Sequence, residues 1–99
     1  MSLHNFRVEL SDEAKADTED ILLYTLLTWG LQQMQNYSDM LDRTLATIQE
    51  NPHIGRPHVI EAYRCFPAGE HLILYRVENK TVFVVRILHS RMDLPRHLE

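Results

Sequence analysis

The sequence has little of what secreted and membrane proteins depend on. Its 99 residues include one cysteine, so no disulfide can form within the chain, and we expect the cytoplasm as its location. The longest apolar run, residues 21–27, is interrupted by Thr25 and is too short to span a bilayer. No basic region followed by an apolar stretch opens the sequence, so no signal peptide is predicted. We therefore expect neither a disulfide framework nor a membrane anchor.

Sequence motifs typical of catalytic sites or metal sites are also absent. The sequence has no glycine-rich phosphate loop and no nucleophile elbow, and its histidines lack the tight spacing of a helical zinc site. The single thiol, Cys65, stands between Arg64 and Phe66 in a strand-like alternation, which predicts a buried and unreactive side chain. We therefore expect no metal site and no cofactor.

Composition and charge further restrict the class of protein to which this chain can belong. Hydrophobic residues make up 44% of the chain and charged residues 24%, a balance typical of one globular domain, which we assign to residues 1–99. The formal net charge of −4 argues against direct binding of nucleic acid. Residues 1–51 carry three Lys/Arg against nine Asp/Glu, whereas residues 52–99 carry seven against five. The second half is therefore the one suited to an acidic partner.

A short strand and a long helix are predicted at the start of the chain. Phe6, Val8 and Leu10 alternate with charged residues, as in a strand with one buried face. Ser11 precedes two acidic residues and fits a helix N-cap, so we expect a helix from about residue 12 to Trp29.

A second helix follows after Gly30, which is suited to end the first helix in a left-handed conformation. Its apolar residues recur three or four positions apart and share one face: Met34, Tyr37, Leu41, Leu45 and Ile48. Pro52 ends this helix near residue 51. The two helices should form an antiparallel hairpin, because so few residues connect them.

Three further strands are predicted after a loop. Residues 51–61 contain two prolines and a glycine and are typical of that loop. Strand-like runs follow at residues 63–67, 71–78 and 81–89, with tight turns at 68–70 and 79–80. The order β-α-α-β-β-β predicts an α+β domain in which the helical hairpin covers one face of a sheet with three antiparallel strands in succession.

Three arginines, Arg64, Arg76 and Arg86, fall inside these predicted strands. A two-residue turn at 79–80 would place Arg86 on the face of Ile73 and Arg76 on the opposite face with Leu74, and a one-residue slip would reverse this. Both faces carry apolar residues, but two helices can cover only one. The other face is therefore predicted to be a partly apolar groove edged with arginine, suited to a partner segment.

Four stretches together carry a resemblance to a known family: VELSDEAKADTEDILLYT, ENPHIGRP, RCFPAGEHLILYRVE and VVRILHSRMDLPRHL. In this order, across about residues 6–98, the sequence resembles the ParE branch of the RelE/ParE toxins of bacterial toxin–antitoxin pairs. The resemblance implies a ParD-like antitoxin that wraps the toxin in a hetero-oligomer. It also implies DNA gyrase as the target, whereas RelE-type relatives cut mRNA on the ribosome. Ser90 departs from the family pattern, which often has glycine there.

The residues favour a non-catalytic gyrase inhibitor. A ribonuclease needs a base, an acid and positive charge at the phosphate, and here no tyrosine follows Tyr75. If the chain is nevertheless an mRNA endonuclease, its catalytic residues would be Arg64, Arg86 and His89. A third hypothesis is a non-toxic partner of the antitoxin. We expect the target to contact the late cationic residues, namely Arg56, Arg64, Arg76, Arg86, His89, Arg91 and Arg96.

The antitoxin is expected to bring an acidic or amphipathic segment to the basic half and to the helical hairpin. Leu22, Leu26 and Trp29 are candidates for this contact because the first helix is apolar on more than one side. Leu72 and Leu74 are the candidates on the sheet.

Overall fold

A computed structural model describes residues 6–60 and 62–91. These residues form a layer of two helices against a five-stranded sheet, which confirms the predicted α+β class. The elements are β1 (Arg7–Leu10), α1 (Asp12–Trp29), α2 (Leu31–Glu50), β2 (Arg56–Pro57), β3 (Tyr63–Ala68), β4 (His71–Glu78) and β5 (Thr81–His89). Neither helix is long and apolar enough to cross a membrane.

Local sequence signals set the bounds of the helices. The Ser11 side chain accepts a hydrogen bond from the Ala14 backbone N–H at 2.9 Å, so the predicted N-cap of α1 is confirmed. One residue, Gly30, separates the helices at φ +96° and ψ 174°. The positive φ was expected, but the extended ψ differs from the left-handed helical conformation. This region of backbone space is essentially restricted to glycine, and it lets α2 turn back along α1 without a longer loop.

The sheet has the strand order β1-β5-β4-β3-β2, which the sequence did not predict. β1 pairs with β5 in parallel, with Arg7 opposite Thr81 and Leu10 opposite Val84. The proline-rich segment predicted as a loop contains the two-residue strand β2, which pairs with β3. β2 is short because its second residue, Pro57, has no N–H to donate.

The β4–β5 hairpin follows the predicted register only in its first half. Asn79 and Lys80 form the two-residue turn, both with positive φ, and Glu78 pairs with Thr81 as expected. A bulge then shifts the register, because Tyr75 pairs with Val84 and the residue before it pairs with Arg86. Arg86 therefore lies opposite Leu74 and not opposite Ile73, which is where a regular hairpin with this turn would have placed it. Arg76 lies on the face that the two-residue turn predicted.

Two apolar clusters occupy the two faces of the sheet. The larger one joins Ala14, Leu41 and Ile48 of the helices to strand residues such as Tyr75 and Val84, all buried. The smaller one contains only strand residues, namely Cys65, Leu74 and Leu88, with Tyr63, Leu72 and Val85 around them. The helices thus cover one face, as predicted, and Cys65 is buried as predicted. We call the face of the smaller cluster the open face.

Candidate functional site

Arg86 is engaged by the protein itself. Its Nε and Nη2 donate to the two carboxylate oxygens of Asp17 at 2.8 and 2.9 Å, and the Ile87 backbone N–H donates to the same carboxylate at 2.9 Å. The hydrogen bonding to the Asp17 carboxylate is the main cause of a raised pKa for the Arg86 guanidinium. Because both side chains are largely shielded, this arginine fastens β5 to α1 and offers little charge to a target.

Arg64 is also occupied, in this case by the backbone of the loop after α2. Its Nη1 donates to the carbonyl of Gly55 at 2.7 Å and to that of His53 at 3.2 Å. The buried hydroxyl of Tyr75 donates to the Pro52 carbonyl at 2.7 Å and accepts from the Gly55 N–H at 2.8 Å. Arg64 and Tyr75 therefore hold this loop against the sheet.

Arg76 differs from these two arginines because it lies on the open face with a partly exposed side chain. Its guanidinium carbon lies 5.1 Å from the centre of the Phe83 ring, a cation–π distance. Its Nη1 is 3.5 Å from a carboxylate oxygen of Glu78, a loose and exposed ion pair. Its Nε is buried and has no hydrogen-bond partner within the described residues.

A cleft of about 530 Å³ opens between the helical hairpin and the end of the sheet. Trp29, His89 and Arg91, three residues predicted to bind a partner or target, all line it. Tyr37 and His71 also line it, and neither was predicted to be part of a site. Beyond its core spacing, no sequence signal marked Tyr37, because its position beside the strands depends on how α2 packs.

Tyr37, His71 and His89 form a cluster in the cleft, joined by one hydrogen bond and one ring contact. The Tyr37 hydroxyl lies 2.6 Å from His71 Nδ1 and also accepts the Glu70 backbone N–H at 3.0 Å. The rings of His71 and His89 meet edge to face with centroids 5.4 Å apart. His89 Nδ1 accepts the Arg91 backbone N–H at 3.2 Å. A neutral imidazole that accepts at Nδ1 carries its proton on Nε2.

Burial and charge set the protonation of this cluster. Desolvation, followed by repulsion from His89, lowers the pKa of His71 below its usual value, whereas Glu70 and Asp17 raise it by less. Desolvation is also the main cause of a raised pKa for the Tyr37 hydroxyl. The fold therefore favours a neutral His71 beside a protonated Tyr37.

The residues predicted to contact an antitoxin are exposed to very different degrees. Trp29 is 70% exposed and Leu26 is 36% exposed, whereas Leu22 is half-buried. On the sheet, Leu72 is half-buried and Leu74 is fully buried, so the expectation that Leu74 forms part of a docking surface is wrong. Its side chain belongs to the smaller core cluster.

A larger apolar surface than predicted lies around the end of α1. We call it the hairpin patch, and it comprises Leu23, Tyr24, Leu26, Leu27, Trp29 and Leu31. Of these, Leu27 is 77% exposed. The run of apolar residues on every side of α1 was the sequence signal for this patch, since a helix of this kind cannot bury all of them against one layer.

The remaining predicted residues do not gather at one place. Arg56 is exposed on the edge strand β2, which β3 separates from the strands β4 and β5 that reach the cleft. Arg96 lies outside the described residues. Within residues 6–60 and 62–91, no group of three or more His, Cys, Asp or Glu side chains is placed to hold a metal ion.

Comparison with known proteins places this fold and sequence in one family. Residues 8–94 match the family model described as ParE toxin of type II toxin-antitoxin system, parDE. The chain is 37% identical over 91 residues to Toxin ParE1 of Caulobacter vibrioides, covering 90% of this chain and 94% of that protein. It is 39% identical over 95 residues to Toxin ParE1 of Mycobacterium tuberculosis, covering 93% of this chain and 97% of that one.

Two solved structures of toxin–antitoxin systems contain a chain with the same fold as this protein. A chain of the chromosomal ParDE TA system from P. aeruginosa superposes with a TM-score of 0.78 at 19% identity, covering 87% of this chain and 97% of that one. A chain of the toxin-antitoxin complex RelBE2 from Mycobacterium tuberculosis gives a TM-score of 0.63 at 18% identity, covering 86% and 98%. With the length of the sequence match, these findings show that the chain belongs to the ParE family of toxins of type II toxin–antitoxin systems.

Proposed function

We propose that this toxin is a non-catalytic inhibitor of DNA gyrase that acts in the cytoplasm and is neutralised by a ParD-like antitoxin. Membership of the ParE family supports gyrase over the ribosome as target. The observation that carries the proposal is that Arg64 and Arg86 are both bonded to groups of the protein itself. A guanidinium that already donates to an internal carboxylate or carbonyl is poorly placed to stabilise a scissile phosphate.

The hairpin patch supports the antitoxin part of this proposal. A cluster of exposed leucine and aromatic side chains on one end of a small domain marks an interaction surface. Trp29 lies in both the hairpin patch and the cleft, so a segment that covers the patch would also reach His89 and Arg91. Neutralisation would then follow if gyrase needs the same cationic residues.

A supercoiling assay tests the gyrase target directly. Purified toxin is expected to inhibit supercoiling of relaxed plasmid in a concentration-dependent way, and the antitoxin encoded beside it is expected to reverse the inhibition. Arg91→Gln at the cleft should weaken inhibition, whereas Arg43→Gln on the exposed surface of α2 serves as the matched control. Gyrase that remains fully active at high toxin concentration would rule out this target.

The cleft floor favours one alternative, an mRNA endonuclease. It brings the hydroxyl of Tyr37 and the imidazole of His71 close to His89 and Arg91. His89 was already the base expected for this function, and Tyr37 adds a proton donor that the order of residues along the chain did not suggest. Primer extension on ribosome-bound mRNA, with His89→Ala as the comparison, tests this function. Intact mRNA during growth arrest excludes it, and growth arrest itself excludes a non-toxic partner.

A further inference from the structure

The cleft between the helical hairpin and the end of the sheet carries acidic and aromatic groups that the proposed function does not use. α1 contributes Asp20, Tyr24 and Trp29, and the turn between β3 and β4 contributes Glu70. All four residues are exposed, so a ligand can reach them from solvent. Two carboxylates from different elements thus share one cavity with two accessible aromatic rings.

Neither carboxylate is neutralised by the part of the chain that the structure describes. Within residues 6–60 and 62–91, the side chains of Asp20 and Glu70 make no hydrogen bond and no salt bridge. Burial is the main cause of a lowered pKa for His71, so this imidazole adds no positive charge above about pH 7. Among the described residues that line the cleft, Arg91 alone is a lysine or arginine. The carboxylates outnumber this guanidinium, so the lining favours a cation.

The two aromatic rings are also available to a cation. The cation–π contacts that the described residues make are on Phe6 and Phe83, and neither ring lines the cleft. Tyr24 is 65% exposed and Trp29 is 70% exposed, so both rings are open to a ligand. Tryptophan is the ring that attracts an ammonium group most strongly, and tyrosine does so as well.

The shape of the cleft favours a linear ligand. Asp20 and Trp29 are separated by about 13 Å along the axis of α1, at 1.5 Å per residue. A second depression of about 410 Å³ adjoins the Trp29 end and is lined by Trp29, Gln33 and Glu70. Glu70 therefore borders the end of the cleft that lies away from Asp20. A chain with an ammonium group at each end can reach both carboxylates while its methylene groups lie on the rings.

We propose that the cleft binds a linear aliphatic polyamine, with one ammonium group at Asp20, another at Glu70, and the chain between them on Tyr24 and Trp29. This inference does not depend on the gyrase target, because it concerns only the lining of the cleft. Arg91 opposes the ligand by repulsion and is not part of the site.

Trp29 is the only tryptophan in the sequence, so its fluorescence reports on this cleft. Titration of the full chain with spermidine at constant ionic strength is expected to change the emission in a saturable way, with a Kd at or below about 1 mM. Asp20→Asn and Glu70→Gln should each weaken binding about two- to fivefold, the range of an exposed ion pair. Tyr24→Leu should weaken it by a similar factor, because a cation–π contact is lost.

Asp39→Asn is the matched control, because it removes one exposed carboxylate from α2 outside the cleft. Its affinity for spermidine should equal that of the wild type. Arg91→Gln should tighten spermidine binding, although the same variant is expected to weaken gyrase inhibition, so the two proposals can fail separately.

The proposal is overturned if spermidine causes no saturable change, or if Asp39→Asn weakens binding as much as Asp20→Asn does. It is also overturned if magnesium chloride or a blocked peptide with a single lysine binds more tightly than spermidine. The first of these ligands would show a simple response to charge, and the second would assign the cleft to a side chain of a partner protein.

Discussion

Arg86 and Asp17 form a two-bond salt bridge between the last strand and the first helix, although 69 positions separate them in sequence. The pairing of β1 with β5 ends at Val84, so the rest of that edge of β5 has no neighbouring strand. The Asp17 carboxylate accepts the backbone N–H of Ile87 there. Asp17 therefore satisfies one backbone N–H at the edge of the sheet and ties α1 to β5. Arg86, one of the residues predicted to contact a target, is thus held by the protein itself.

Loss of this salt bridge should destabilise the fold. We expect Asp17→Ala or Arg86→Ala to lower the free energy of unfolding by about 2 kcal/mol, because each leaves a shielded charge without its partner. Chemical denaturation of both single variants and of the double variant measures this, and the double variant should cost less than the sum. Arg7→Ala, which breaks the exposed pair with Glu9, is the control and should change little. Additive effects of Asp17→Ala and Arg86→Ala would contradict a direct interaction.

The hydroxyl of Tyr75 is predicted to anchor the loop after α2. Tyr75→Phe should cost about 1–3 kcal/mol of unfolding free energy, because it leaves the buried Pro52 carbonyl and Gly55 N–H without a partner. Tyr63→Phe, at a partly exposed tyrosine, provides the control. Equal stability of the two variants in urea denaturation would show that the loop is held by other contacts.

Gly55 should tolerate no larger side chain. A methyl group there would lie 2.5 Å from the Tyr75 hydroxyl oxygen and 3.0 Å from the backbone oxygen of Cys65. We therefore expect Gly55→Ala to lower the thermal midpoint clearly, whereas Gly30→Ala meets no neighbouring atom and is disfavoured only by its positive φ. Combining Gly55→Ala with Tyr75→Phe removes the contact with the hydroxyl but keeps the contact with the ring carbon Cε1 at 2.8 Å, so the loss should be recovered only in small part. Full recovery would show that the hydroxyl alone causes the strain.

Stability should fall in mild acid because of His71. The folded protein lowers its pKa below the value of the unfolded chain, chiefly by burial and then by the nearby His89. The unfolded chain therefore takes up a proton more readily than the folded one. This contribution to stability is fully present above about pH 6.5 and declines as the pH falls from there towards the folded pKa.

Urea midpoints measured between pH 8 and pH 5 test this pH dependence. The groups that face His71 are Tyr37 of α2, His89 of β5, Glu70 of the turn and Asp17 of α1, and the two carboxylates moderate the effect. His71→Gln should flatten the acid side of the profile, while His53→Gln at an exposed site should leave it unchanged. A profile of His71→Gln that overlays the wild type would refute the prediction.

The hairpin patch should matter for association and not for folding. Leu27→Gln, at a side chain that is 77% exposed, should change unfolding free energy by no more than about 0.5 kcal/mol. It should nevertheless reduce the rise in melting temperature that the antitoxin produces, because that rise reflects binding to the folded chain. Differential scanning fluorimetry with and without antitoxin measures both quantities. An undiminished rise in the variant would exclude the patch from the interface.

Most of the fold could be predicted from local sequence patterns. The N-cap at Ser11, the bounds of α1 and the Asn79–Lys80 turn each depend on a few neighbouring residues, and all three were predicted correctly. The strand partner of Arg86 was not predicted correctly, because a β-bulge shifts the register. Nothing in the alternation of apolar and polar residues along β5 indicates that bulge. The cleft was missed for a similar reason: its floor joins α2 to the ends of β4 and β5.

The sequence by itself determined the two helices, the first strand and the three long antiparallel strands, together with the family and the opposite charge of the two halves, because these follow from patterns along the chain. Only the tertiary structure decided which arginines remain available to a partner. Arg86 meets a carboxylate 69 positions away and Arg64 meets carbonyls of the loop after α2, whereas Arg76 meets an aromatic ring and its Nε has no acceptor within the described residues. Three strand arginines that look alike in sequence therefore differ in their bonding, since packing between elements supplies or withholds the acceptor that each guanidinium requires.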